Sequence, residues 1–222
     1  MNGQSLLNAF LKELGELNTV PVDMGELAHL KKSGMSFDLS ALDAGALRIS
    51  SISMKAMLGL MSMESVIVTS KEKDVPLFNI DLVRAASKRT VLAEFYDTMI
   101  EEPGPAVLED AAKVRALFGG LPEYERGERW YDAMLLPCSL GKSAKKDVLS
   151  EEKTAEIASS YSALYRRWLE SAPECVPEEK KEKTLAYVSR LLSEGGASTD
   201  QFKKLFGEKV TEKIFMTLFG ME

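Results

Sequence analysis

The sequence predicts an α+β protein, a three-layer α/β/α sandwich with a central antiparallel β-sheet. Short apolar runs bounded by turn residues fill the stretch from residue 46 to residue 99, which is typical of consecutive strands. Helical periodicity marks the beginning of the chain and its last third. The sequence lacks βαβ alternation and a glycine-rich phosphate loop, so a Rossmann-type domain is excluded.

The length of 222 residues allows one domain with a substantial core or two small ones, and we expect a single domain over residues 1–222. The net charge of −6 and the pI of about 5.1 give no electrostatic support for nucleic-acid binding. No apolar run approaches the roughly 20 residues of a membrane-spanning helix, and the first residues lack the basic region of a signal peptide. We therefore expect a cytoplasmic protein with neither a nucleic-acid partner nor a membrane partner.

Two helices are predicted in the first part of the chain. Leucine and phenylalanine recur at helical spacing over residues 4–17, and the segment Asn18–Pro21 ends this helix. A short helix is predicted at Met24–Lys32, where the apolar pattern is only weakly periodic.

Two strands are predicted in the segment Ala46–Ser70, with a turn near Leu58–Leu60 between them. Methionine is dense in this segment, and its side chain adapts to ligands of several shapes. Met54 and Met63 are therefore candidate ligand contacts, although ordinary filling of the core is the simpler interpretation.

The stretch Val75–Met99 predicts the β-hairpin around which the sheet is organised. Its two runs are rich in apolar and aromatic residues, and the small, polar and basic segment Ala85–Arg89 joins them. Pro76 stands at the start of the first run, where a missing N–H is tolerated. Together with the two preceding strands, the hairpin predicts a four-stranded antiparallel meander.

The rest of the chain is predicted to be mainly helical. A helix is expected at Val107–Phe118 and is stopped by Gly119–Gly120, whereas Trp130–Leu136 is a strand or an extended segment. Ser150 caps a long helix that has acidic residues in its first turn. The last three helices are predicted at Glu178–Ser193, Asp200–Phe206 and Glu208–Phe219.

Motifs of well-known catalytic sites are absent from the sequence, including GxSxG, a Walker loop, HExxH and CxxC. The single histidine, His29, excludes a multi-histidine metal site within one subunit, and no metal is expected. Cys138 lies in a loop of small residues close to Lys142, and it is an alternative candidate as a nucleophile.

Carboxylates are the plentiful titratable groups of the predicted strands: Glu64, Asp81, Glu94 and Asp97. Glu64 has apolar neighbours, so burial would raise its pKa and suit it to general acid catalysis. Alternation along a strand leaves the opposite outcome open, in which Glu64 faces solvent. Asp81 interrupts an apolar run and is equally well explained as a structural hydrogen-bond acceptor.

Two segments resemble the ferredoxin-dependent bilin reductases, the family of phycocyanobilin- and phytochromobilin-forming enzymes with red chlorophyll catabolite reductase as a relative. VPLFNIDLV, which begins at Val75, is similar to the family's Pro–hydrophobic–Phe/Leu–Gly–x–Asp–hydrophobic strand, with Asn79 where glycine is common. FKKLFGEKVTEKIFMTLFG, which begins at Phe202, is similar to the closing helical signature, with Gly220 in place of its last Asp.

The resemblance implies an antiparallel sheet between two helical layers and a linear tetrapyrrole bound between the sheet and the C-terminal helices. It implies no bound cofactor, because electrons arrive from ferredoxin or flavodoxin and side chains supply the protons. Gapped matching places the family's central proton donor at Glu64 and a second acid at Asp147. Ligand contacts are expected from six side chains: Met54, Met63, Phe78, Phe95, Tyr161 and Tyr165.

The chain also departs from the family pattern. Some members use a histidine of the sheet, and the predicted sheet here has none. An acidic ferredoxin would need a basic patch, for which five residues are candidates: Lys142, Lys145, Lys146, Arg166 and Arg167. A solvated surface is the simpler interpretation of these five residues.

We therefore expect an oxidoreductase that reduces a double bond of a biliverdin-like tetrapyrrole. The alternatives are a protein that binds a tetrapyrrole or another hydrophobic ligand without chemistry, and an interaction protein without a small-molecule site.

Overall fold

The computed structural model describes residues 5–222 and contains one eight-stranded antiparallel sheet. Its strands, β1 to β8, are Val20–Pro21, His29–Lys32, Met35–Ala44, Leu47–Ala56, Met61–Ser70, Leu77–Ala85, Lys88–Tyr96 and Leu140–Lys145. The helices, α1 to α6, are Leu6–Leu14, Pro105–Ala116, Glu151–Ser171, Pro177–Glu194, Ala197–Phe206 and Glu208–Phe219. Short 3₁₀ helices lie at Gly25–Leu27, Met57–Gly59 and Trp130–Met134.

The sheet is a meander in which β3 to β8 pair in chain order, while β1 and β2 both pair with β3. One rung across the sheet joins Ile52, Ser65, Asp81, Leu92 and Gly141, each directly opposite the next. This register fixes which side chains of neighbouring strands share a face, because successive residues of a strand point to opposite faces.

The two faces of the sheet carry separate apolar cores. The α3 face, covered by α1, α2 and α3, buries Val66, Phe78 and Phe95. The α6 face, covered by α4, α5 and α6, buries Ile67 and Phe215. The structure thus confirms the α/β/α sandwich with a central antiparallel sheet.

Helix α6 is anchored to the sheet at its C-terminal end. Ser50 and Thr69 donate hydrogen bonds to the carbonyl oxygens of Leu218 and Phe219, at 2.7 and 3.1 Å. The helix ends at Gly220, which has a φ of +70° and whose missing Cβ would lie 3.3 Å from Arg48. A left-handed residue packed this closely favours glycine, which accounts for its presence where the family signature has Asp.

Most predicted helices are confirmed, with small changes of their ends. α6 has the predicted bounds, and Ser150 caps α3 by accepting a hydrogen bond from the Lys153 N–H at 3.1 Å. α1 ends at Leu14 rather than at residue 17, and the predicted start at residue 4 lies outside the described residues. α5 begins at Ala197, before the predicted Asp200.

The predicted sheet was incomplete. The expected helix at Met24–Lys32 is wrong, because a single 3₁₀ turn precedes strand β2. Trp130–Met134 is a 3₁₀ helix, and only the following Leu135 forms a bridge to β7. The hairpin turn is shorter than predicted, since Ala86 and Ser87 alone join β6 to β7.

None of the helices within residues 5–222 combines the length and the apolar composition needed to cross a bilayer. Among the same residues, no group of three or more His, Cys, Asp or Glu side chains is placed to hold a metal ion.

Candidate active site

A cavity of about 250 Å³ lies between the α6 face of the sheet and the C-terminal helices. Its floor is built from polar side chains of three adjacent strands, namely Ser65, Asn79, Asp81 and Glu94. Asn79 and Asp81 alternate with Phe78 and Ile80 along β6. The same strand therefore contributes to the apolar core of the α3 face and lines the cavity on the α6 face.

Asp81 is the central group of the cavity floor. One carboxylate oxygen accepts a hydrogen bond from the Ser65 hydroxyl at 2.5 Å, and the other accepts one from the Asn79 amide at 3.0 Å. Removal from bulk water raises the pKa of Asp81 to about 6, and the negative charge of Glu94 adds to this effect. The two hydrogen bonds oppose the shift because they favour the ionised carboxylate. Asp81 is therefore a carboxyl group that exchanges its proton near neutral pH.

Glu94 is a second carboxylate in the cavity, on the strand next to Asp81. Its side chain is almost completely buried and forms an ion pair with Arg126. It also accepts a hydrogen bond from the Tyr96 hydroxyl at 2.6 Å. Burial, followed by the charges of Tyr187 and Glu94, raises the pKa of Tyr96 well above its usual value. Tyr96 thus remains a hydrogen-bond donor over the physiological pH range.

Aromatic side chains form one wall of the cavity. The rings of Tyr96 and Tyr187 lie 5.0 Å apart, and Tyr131 meets Tyr96 edge-on at 6.1 Å. Phe219 extends this wall at 6.1 Å from Tyr187. Such a wall suits a flat, conjugated ligand, because aromatic rings pack well in offset or edge contacts.

Two arginines stand at the rim of the cavity. Arg126 is partly buried and lies 3.8 Å from Asp132, in addition to its contact with Glu94. Arg129 is about half exposed and forms an ion pair with Asp200 at 3.3 Å. Guanidinium groups bind carboxylates in two parallel hydrogen bonds, so the rim is suited to an acidic ligand.

The structure places Glu64 away from this cavity, on the α3 face. Its carboxylate forms an ion pair with Arg84 at 2.9 Å and accepts a hydrogen bond from the Leu6 N–H at 2.8 Å. The reason is the register: Ser65, not Glu64, stands opposite Asp81. Asp147, the other predicted acid, lies exposed in the loop between β8 and α3.

The four predicted aromatic contacts lie in the core of the α3 face, where their side chains are completely buried. Phe78 packs 4.9 Å from Phe95 and 5.2 Å from Tyr165, and the Tyr161 hydroxyl donates to the Cys138 carbonyl at 2.9 Å. This core is filled by its own side chains.

Met54 and Met63 do lie on the α6 face, but they pack in the apolar core beside the cavity. The structure therefore brings none of the six predicted contact residues into the cavity wall.

Other candidate residues are accounted for by local structure. Burial raises the pKa of the Cys138 thiol to about 11, which makes it a poor nucleophile. His29 lies on the exposed edge strand β2, with Asp38 at 2.7 Å, contrary to the expectation that the sheet has no histidine. The five predicted basic residues do not form one patch, because Lys142 is buried and Arg167 is paired with Asp110.

The sequence identifies Asp81 and Glu94 as carboxylates of the predicted strands but does not show that they lie on the same face of the sheet. A two-residue turn in the hairpin would have placed Asp81 opposite Leu92 and Asn79 opposite Glu94, as the structure does. The predicted turn, Ala85–Arg89, is longer and does not give this pairing of β6 with β7. Nothing in the sequence pointed to Arg126 or Tyr187, which come from a loop and from α4.

The chain is similar to solved structures, but no family model and no curated protein sequence matches it. The crystal structure of phytochromobilin synthase from tomato in complex with biliverdin superposes with a TM-score of 0.72. The alignment covers 96% of this chain and 80% of that chain at 13% sequence identity. At this identity the likeness establishes the fold.

Proposed function

We propose that this chain, which has the fold of the ferredoxin-dependent bilin reductases, reduces a double bond of a biliverdin-like tetrapyrrole with Asp81 as the proton donor. The observation that carries this proposal is a carboxyl group with a pKa of about 6 on the floor of an aromatic-lined cavity. General acids work best when their pKa lies near the operating pH. The fold supports the choice of substrate, because phytochromobilin synthase from tomato, which has a similar fold, was solved with biliverdin bound.

The chemistry requires two electrons and two protons for each double bond that is reduced. The electrons come one at a time from an external donor protein of the ferredoxin or flavodoxin type. Asp81 transfers its proton to a carbon of the reduced tetrapyrrole and regains one from water in the cavity. A second transfer from Asp81 then completes the saturation of the bond. Ser65 and Asn79 hold the carboxyl group at a fixed position throughout.

Ligand binding follows from the walls of the cavity. The Tyr96 and Tyr187 rings would pack against the conjugated pyrroles, while Arg126 and Arg129 would bind the two propionates. The cavity of about 250 Å³ is smaller than typical sites for ligands of this size. We therefore expect the rim segment that carries both arginines to move outward when the tetrapyrrole binds.

The direct test is anaerobic incubation with biliverdin and reduced ferredoxin, followed by absorption spectroscopy. The wild-type protein should convert the biliverdin spectrum to that of a reduced bilin. Asp81→Asn should bind biliverdin with similar affinity and lower the turnover rate by about 100-fold or more, the range for a lost general acid. Glu64→Gln, on the opposite face, is the matched variant and should retain turnover.

Two outcomes would contradict this assignment. Loss of turnover in Glu64→Gln, with Asp81→Asn active, would return the proton donor to Glu64. Tight binding of biliverdin by the wild-type protein without any spectral change under reducing conditions would favour the alternative of a binding protein without chemistry.

A further inference from the structure

Several turns project together from one end of the sheet. The last rung at this end pairs Ala56 with Met61, Met61 with Ala85, Ala85 with Lys88, and Lys88 with Lys145. Beyond that rung lie the turns that join β4 to β5 and β6 to β7, linked by a hydrogen bond from the Ala86 N–H to the Leu60 carbonyl at 3.0 Å. We call these turns, together with the end of β8, the sheet tip.

The sheet tip carries large apolar side chains in water. Met57 and Leu60 are about two-thirds exposed at 65% and 66%, and Leu58 at 106% is fully exposed. Met57 and Leu58 have φ angles of +52° and +55°, a conformation that side-chain-bearing residues rarely adopt. The backbone therefore holds two apolar side chains outward in an unfavourable conformation, although burial of such side chains is normally favourable.

Unpaired lysines surround these side chains. Lys88 and Lys145 face each other across β7 and β8, and Lys146, Lys55 and Lys32 follow at the same end of the sheet. All five are exposed, and none forms an ion pair with another side chain among residues 5–222. The chain as a whole has a net charge of −6, so this concentration of positive charge is local.

We propose that the sheet tip docks on an anionic lipid surface. The apolar side chains protrude as aliphatic groups that can enter the boundary between headgroups and acyl chains, and lysines near such a surface attract anionic headgroups. Protein interfaces, by contrast, are enriched in aromatic residues, Met and Arg and depleted in Lys. The turns of the sheet tip contain Met57 but no aromatic residue, and their neighbouring charged groups are lysines. The two arginines at this end, Arg84 and Arg89, form ion pairs with Glu64 and Glu151, so the unpaired positive charge of the sheet tip comes from its lysines.

This inference is independent of the proposed reductase activity. The expectation of no membrane partner rested on the lack of a long apolar run, which concerns membrane-spanning helices, whereas the proposal concerns docking at a membrane surface.

Vesicle sedimentation with the full chain tests the proposal. The wild-type protein should sediment with phosphatidylcholine vesicles that contain about one-third phosphatidylglycerol, and it should remain in solution with phosphatidylcholine alone. Binding should fall as sodium chloride is raised. The double variants Met57→Ser/Leu58→Ser and Lys88→Glu/Lys145→Glu should each lower the vesicle affinity by about tenfold or more.

Matched variants at the other end of the sheet serve as controls. Val176→Ser removes an apolar side chain of similar exposure, and Lys181→Glu reverses an exposed charge. Both should bind vesicles as the wild type does, and thermal unfolding should show that all variants are folded.

The proposal is overturned if the wild-type protein stays in solution with anionic vesicles at low salt, or if the sheet-tip variants bind them normally. A parallel titration with a ferredoxin, an acidic soluble protein, distinguishes a lipid surface from a protein partner. Binding of ferredoxin that depends on Leu58 and Lys88, without vesicle binding, would assign the sheet tip to a protein instead.

Discussion

At the scale of single residues, the protonation of Asp81 links the proposed catalysis to stability. A carboxyl group with a pKa of about 6 in the folded protein, against 3.8 as the ordinary value, binds its proton more tightly when folded. The folded state is therefore favoured by Asp81 at acidic pH, and this contribution is lost as the pH rises from about 4 to about 6. Above that range Asp81 is ionised, and its buried charge lowers the free energy of unfolding.

Replacing Asp81 by Asn should remove this destabilising buried charge. We expect Asp81→Asn to raise the free energy of unfolding by about 1–3 kcal/mol at about pH 8, since each pKa unit corresponds to about 1.4 kcal/mol. At about pH 4 the two proteins should be equally stable, because Asp81 is then protonated in the wild type as well. Urea unfolding at both pH values measures the difference. Equal stability at both would show that the pKa of Asp81 is not raised.

The same pKa predicts the pH dependence of turnover. Because the protonated form of Asp81 donates, the turnover rate of the wild-type protein should fall above about pH 6. The falling limb of the pH profile should follow the titration of a single group. Asp81→Asn should lack this limb in its residual activity. Single-turnover rates measured anaerobically over a pH series give the result, and a flat profile in the wild type would argue against Asp81 as the donor.

The sequence identifies carboxylates of the strands as candidate site residues but does not show which of them lies in the cavity. The sequence shows that acids interrupt apolar strands, whereas the face on which each acid lies depends on register, and register depends on the length of a turn. Glu64 and Asp81 are both candidates by composition. The pairing of Ser65 with Asp81 places Asp81, and not Glu64, at the cavity.

At the scale of elements, Lys180 fixes α4 to the start of β6. Its ammonium group is buried and donates to the carbonyl oxygens of Val75 and Thr98, at 2.5 and 2.8 Å, beside Asp74 at 3.4 Å. Removal from water lowers the pKa of Lys180, while the charge of Asp74 opposes that shift. The lysine thus satisfies two carbonyl oxygens and balances the buried negative charge of Asp74.

Truncation of Lys180 should therefore weaken the attachment of α4. We expect Lys180→Ala to lower the free energy of unfolding by about 3–5 kcal/mol, the range for a broken buried ion pair. Lys183→Ala, an exposed position on the same helix, should change it by less than about 0.5 kcal/mol. Denaturant unfolding of both variants measures this. Similar effects for the two would show that the buried contacts of Lys180 contribute little.

Elements were predictable where the pattern was strong. α3 and α6 have clear helical periodicity and caps, and their predicted positions agree with the structure. Strand β3 was missed although its first half, MSFDLS, alternates apolar and polar residues as a half-buried strand does. Strand β8 was missed because polar and small residues dominate its sequence, LGKSAK, so that its conformation follows from pairing with β7 rather than from local preference.

At the scale of the whole molecule, two apolar cores share one sheet. Since β4 to β7 contribute side chains to both cores, neither core can unfold without the other. We expect one cooperative unfolding transition, with coincident signals from secondary structure and from aromatic side chains. Biliverdin at about 100 times its dissociation constant should stabilise the folded state by about 2.7 kcal/mol.

Circular dichroism in the far and near ultraviolet during urea unfolding tests cooperativity, with and without biliverdin. Two separate transitions, or a ligand effect on one of them alone, would contradict a single cooperative unit. The overall fold class was predictable from the order of strands and helices, whereas the cavity arises from the packing of distant segments, which local patterns do not encode.

The alternation of core and cavity residues along β6 also defines which positions can be substituted without disturbing the apolar core. Phe78, Ile80 and Leu82 maintain the closed core, and the residues between them shape the ligand space. Randomising Ser65 and Asn79 together would change the cavity floor without replacing a residue of either apolar core. Inserting one residue into β6 would exchange the two sets of side chains and destroy scaffold and recognition at once.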